Sequence, residues 1–83
     1  MQLTSKDGNM VVDFYSIKYS DGTECSRQVL KVLTFAGKTQ SKRYINRKDV
    51  QNEVDSRIHG YGYKITRINK EAQLYNSGLG CAC

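Results

Sequence analysis

Residues 11–24 read VVDFYSIKYSDGTE, and the way this stretch reverses decides how the rest of the chain can fold. Its first nine residues are β-branched and aromatic, with no Gly or Pro, and Asp21-Gly22 is a strong signal for a two-residue hairpin turn. The segment that follows, CSRQVLKVLTF at 25–35, would also fit one face of a helix at Val29, Leu30, Val32 and Leu33. A strand that ends in a tight turn needs a partner, so the second segment reads as a strand.

Working outward, Ala36-Gly37-Lys38 marks the next reversal, and TQSKRYI at 39–45 reads as a third strand. Asn46 is a good helix N-cap, Asp49 suits the first turn, and Val50, Val54 and Ile58 recur at i, i+4 and i+8. Glu53 and Arg57 form a favourable i,i+4 pair, and Gly60 ends the helix, which is expected over residues 47–59. YGYKITRI at 61–68 returns to strand composition. Residues 1–9 read as a polar lead and 76–83 as a flexible tail.

The expected fold class is α+β: a three-stranded antiparallel meander packed on one amphipathic helix, followed by a further edge strand (β-β-β-α-β). Its 83 residues make a single domain with one modest core. This β-β-β-α order, with YSIKYSDGTE and RYINRKDVQNEV, resembles the small amino-terminal arm-type DNA-binding domain of tyrosine-family integrases. There a three-stranded sheet carries the DNA contacts. The longer second strand and the strand after the helix depart from that pattern, and likeness of architecture does not establish function.

Thirteen Lys and Arg against eight Asp and Glu give a net charge of +5, which favours polyanionic partners: nucleic acid, an anionic surface or an acidic protein. The opening MQLTSKDGNM has no apolar signal segment, and no run approaches the roughly 18 apolar residues of a membrane span, so a cytoplasmic protein is expected. Three cysteines, an odd number, argue against a secreted disulfide framework. Cys81 and Cys83, with only Cys25 and His59 to help them, make a poor zinc set, so no metal and no cofactor is expected.

Register assigns the faces. A turn centred on Asp21-Gly22 sets Val11 opposite Val32, and one centred on Gly37-Lys38 sets Leu30 opposite Ile45 and Val32 opposite Arg43. One face then carries Val11, Tyr15, Ile17, Tyr19, Leu30, Val32 and Ile45, and is expected beneath the helix. The open face carries Phe14, Lys18, Arg27, Lys31, Lys42 and Tyr44, and a one-residue bulge would exchange the two.

Basic and aromatic residues interleaved in this way point to nucleic acid, with cations on phosphates and an aromatic ring on a base or sugar. Candidate contacts are Lys18, Arg27, Lys31, Lys42, Arg43 and Tyr44 on the strands, Lys38 at the hairpin tip, and Arg47 and Lys48 at the helix start, where backbone N–H groups favour anions. The alternative is a protein-interaction or inhibitor module of the kind phages and mobile elements encode. It would be anchored by Phe14, Phe35 or Tyr44, or would pair its sheet edges into a homodimer. Catalysis has little to work with. His59 is the only histidine, and HGYGY lacks the spacing of a phosphate-binding loop.

Overall fold

A computed structural model describes residues 1–19, 21–68 and 73–74, with backbone alone at 41–42 and 73–74. In chain order the elements are β1 (Gln2–Thr4), β2 (Met10–Lys18), β3 (Glu24–Phe35), β4 (Lys38–Asn46), α1 (Arg47–Asp55), a π-helical turn (Ser56–Gly60), β5 (Lys64–Arg67) and β6 (Gln73–Leu74). The sheet runs β4-β3-β2-β1-β5, antiparallel throughout, and β6 joins β2 in parallel at Ile17 and Lys18. Among the described residues it is a mostly-sheet α+β fold with one α-helix.

The amino-terminal residues are not a lead. β1 lies inside the sheet between β2 and β5, and its Leu3, paired with Val12, is fully buried. The turn that makes this possible is built around Asp7-Gly8. Gly8 sits at φ +78°, and the Asp7 carboxylate accepts from Ser5 Oγ at 2.6 Å and from the Asn9 N–H at 3.0 Å. A three-residue strand is too short to show periodicity, which is why composition alone hides it.

β2 and β3 pair Tyr15 with Leu30 and Asp13 with Val32, so Val11 faces Thr34 and not Val32. A shift of two residues leaves every side chain on its expected face, because the strand period is two. β4 behaves differently. Its turn centres on Ala36 and Gly37, both at positive φ (53° and 81°), and Phe35 and Lys38 close it. Next, Thr34 pairs with Thr39 and Leu33 with Ser41, leaving Gln40 as a surplus residue. This bulge turns the rest of β4 over, so Ile45 stands opposite Val29 and Tyr44 opposite Leu30.

The helix therefore covers the other face of the sheet. Leu3, Val12, Phe14, Val29 and Ile45 form the core with Val54 of α1, and Val50, Ile58 and Tyr63 pack at its margin. Phe14 and Lys31, expected on the open face, lie beneath the helix at 5% exposure each. Tyr15, Ile17, Tyr19, Leu30 and Val32, expected beneath it, gather with Cys25 and Tyr44 in a second cluster. Cys25 is fully buried and disulfide-bonded, where the odd number of cysteines argued against a disulfide framework. Cys81 and Cys83 lie outside the described residues.

The helix starts where its residues direct, but as an α-helix it ends at Asp55, short of the expected residue 59. Asn46 Oδ1 accepts the Lys48 N–H at 2.9 Å, and Val50, Val54 and Ile58 face the core. After Asp55 the coil widens into the π turn, and the Tyr61 and Tyr63 N–H groups both donate to the Arg57 carbonyl. Gly62, at φ +74°, then releases the chain into β5.

Candidate nucleic-acid interface

A second, wider irregularity builds a basic concavity. Ser16 pairs with Val29 and Lys18 with Glu24, so Ile17 alone faces the four residues Cys25–Gln28. The surplus is accommodated by a local fold-back, in which the Gln28 N–H donates to Cys25 Sγ at 3.2 Å. Ser26 and Arg27 are exposed in this bulge, while Gln28 keeps its pairing to Asn46 at the end of β4. Such bulges re-aim side chains that a regular strand would hold in its ladder.

What they meet is the start of α1. Ser26, Arg27, Asn46, Arg47 and Lys48 line a cleft of about 500 Å³. Arg47 Nη2 donates to the Cys25 carbonyl at 2.9 Å, tying the first helical residue to the bulge. Arg27 and Lys48 are exposed, and among the described residues no carboxylate pairs with either or with Arg47. Arg47 and Lys48 also occupy the first two helical positions, where the macrodipole disfavours cations, against the single acid Asp49. Three like charges line one cleft, and among the described residues none of them is ion-paired.

The other expected contacts are dispersed. Lys31 is spent internally: its Nζ lies 2.7 Å from Glu53 Oε1, with 6% of the side chain exposed, so it is not a surface contact. Lys38 is exposed at the hairpin tip, and Arg43, paired with Lys31, is exposed on β4. Lys18 closes β2 opposite Glu24. Tyr44 is half-buried in the second cluster, and Lys42 pairs with Val32 in backbone register. The expected continuous basic face is thus replaced by one cleft that unites Arg27, Arg47 and Lys48. Ser26 and Asn46 were not expected in it. The signal available for Ser26 is the polar run Ser26-Arg27-Gln28, which breaks the apolar pattern of the strand.

Among the described residues no group of three or more His, Cys, Asp or Glu side chains is arranged to hold a metal ion. His59 is exposed at the end of the π turn. No helix among the described residues is long and apolar enough to cross a membrane. Compared with protein-family models, with curated proteins and with solved structures, the chain matches none.

Proposed function

We propose that this protein is a small non-enzymatic binding module that holds nucleic acid by its phosphates, with the cleft of Arg27, Arg47 and Lys48 as the anchor. The observation that carries this reading is the convergence, on the positive end of a helix, of three cations that have no carboxylate partner among the described residues. Each cation placed there costs about 0.3–1 kcal/mol, a penalty that a bound phosphate reverses in sign. Ser26 adds a hydroxyl donor, and the net charge of +5 steers a polyanion towards the site. No cofactor or metal is needed for such binding.

The test is a salt titration of affinity for mixed-sequence single-stranded DNA, comparing the wild type with Arg27→Gln/Lys48→Gln. Two lost phosphate contacts should lower the slope of log K against log salt by about 1.4, together with the affinity at low salt. Unchanged affinity and slope in the double variant would remove the cleft from the interface. A protein partner remains the second reading, favoured by Phe35, which is 46% exposed at the β3–β4 tip. Phe14 no longer supports it, being buried beneath the helix. Recovery of no protein by the folded, immobilised chain would count against it.

A further inference from the structure

A different concavity lies at the other end of the helix. Glu53, Ser56, Arg57, Tyr61 and Tyr63 line a cleft of about 450 Å³, within the size range of small-ligand sites. Arg57 is held from two sides: its Nε donates to Glu53 Oε2 at 3.3 Å, its Nη1 donates to Tyr63 Oη at 3.1 Å, and its guanidinium carbon stands 5.2 Å from the centre of the Tyr63 ring. A guanidinium carries five N–H donors, and the remaining three have no partner among the described residues.

Tyr61 sits on the rim with 73% of its surface exposed. A single exposed aromatic is ordinary. Here its backbone is fixed, between Gly60 and Gly62, by the N–H bond to the Arg57 carbonyl, while the ring itself packs on little. The result is a flat apolar surface in a set position beside a fork of unused donors and a hydroxyl.

The two clefts are separated along the helix axis. Ser56 lies nine positions beyond Arg47, about 14 Å along the axis at 1.5 Å per residue. A strand held by its phosphates at the helix start would reach the second cleft within a short run of nucleotides.

We infer that the Tyr61 cleft takes one unpaired nucleobase of a single strand, stacked on the Tyr61 ring, with Arg57 donating to the acceptor atoms of the base edge. This rests on the nucleic-acid reading of the basic cleft and adds to it a preference for single strands. In duplex DNA the bases are stacked on one another, so their faces are closed to Tyr61, whereas every unpaired base offers a π face.

The deciding experiment measures affinity for a mixed-sequence single strand and for its duplex, across a salt series, for the wild type, Tyr61→Phe, Tyr61→Leu and Tyr61→Ala. The expected result is a loss of about 5- to 150-fold for single strand in the Leu and Ala variants, with Phe close to wild type. The salt slope and the duplex affinity should stay as they are. Wild-type affinity of the Leu and Ala variants for single strand would overturn the base site while leaving the phosphate cleft standing. An equal loss on single strand and duplex would also overturn it, by showing that Tyr61 supports the fold. Absence of salt-dependent binding by the wild type itself would sink both readings together.

Discussion

Lys31 Nζ lies 2.7 Å from Glu53 Oε1, so that a lysine from the middle of β3 is buried beneath the helix and tied to it by an ion pair. Glu53 in turn holds Arg57, one turn further on, at 3.3 Å. The helix is thus fixed to the sheet by polar contacts as well as by the Val50, Val54 and Ile58 stripe. Taking a cation out of water is costly, so the pair stabilises the docked helix only while both partners are present.

Glu53→Gln should therefore destabilise the fold by about 2 kcal/mol at neutral pH, because it strands the Lys31 ammonium away from water. Burial pushes the Glu53 carboxyl up, and the hydrogen bond and charge of Lys31, with those of Arg57, outweigh it and hold the group below its ordinary value of 4.5. A carboxyl whose folded value lies below its unfolded one stabilises the fold fully above that pH and loses the contribution as pH falls through the folded value. Urea unfolding across pH should show a flatter acid limb for Glu53→Gln than for the wild type. Lys31→Met combined with Glu53→Leu should recover stability to within about 1 kcal/mol of wild type.

Ala36 occupies the left-handed region at φ 53°, where a Cβ is penalised. Ala36→Gly should stabilise the protein by roughly 0.5–1 kcal/mol, the relief of strain being partly offset by the greater freedom of glycine in the unfolded chain. An upward shift of the urea midpoint with unchanged slope is the expected reading.

Gln40 matters by its presence more than by its identity. Gln40→Ala should stay within about 0.5 kcal/mol of wild type, since the residue is exposed. Deletion of Gln40 should cost on the order of 3 kcal/mol or more, because removing the bulge turns β4 over and carries Ile45 out of the core. Thermal unfolding of the two variants side by side separates these outcomes.

Cys25 is disulfide-bonded, so a thiol titration of the denatured, unreduced chain should find one reactive group among the three cysteines. Reductant should lower stability by about 2–4 kcal/mol. Such bonds persist in oxidising surroundings, and three reactive thiols would favour the reducing cytoplasm that the sequence alone leads one to expect.

Local chemistry in the sequence determined the elements. Asp21-Gly22, Asn46 and the Val50–Val54–Ile58 spacing act through neighbours in the chain, and the meander, the helix cap and the Glu53–Arg57 pair all form, although Lys18 pairs with Glu24 and the Tyr19 N–H donates to the Thr23 carbonyl, where a two-residue turn would set Tyr19 opposite Glu24. Asp7-Gly8 carries the same kind of signal for β1, yet a strand of three residues has no period to read. What only the tertiary structure decided was which face the helix covers and which cations meet.

Both decisions came from surplus residues: Gln40 in β4, and the four residues Cys25–Gln28 opposite Ile17. A bulge of one residue leaves composition untouched and inverts every side chain beyond it, because a strand alternates with a period of two. So Lys31 passed from the surface to the interior, and Arg27 came to face Arg47 and Lys48. The sequence carries the charges, and the register of the folded sheet brings three of them together.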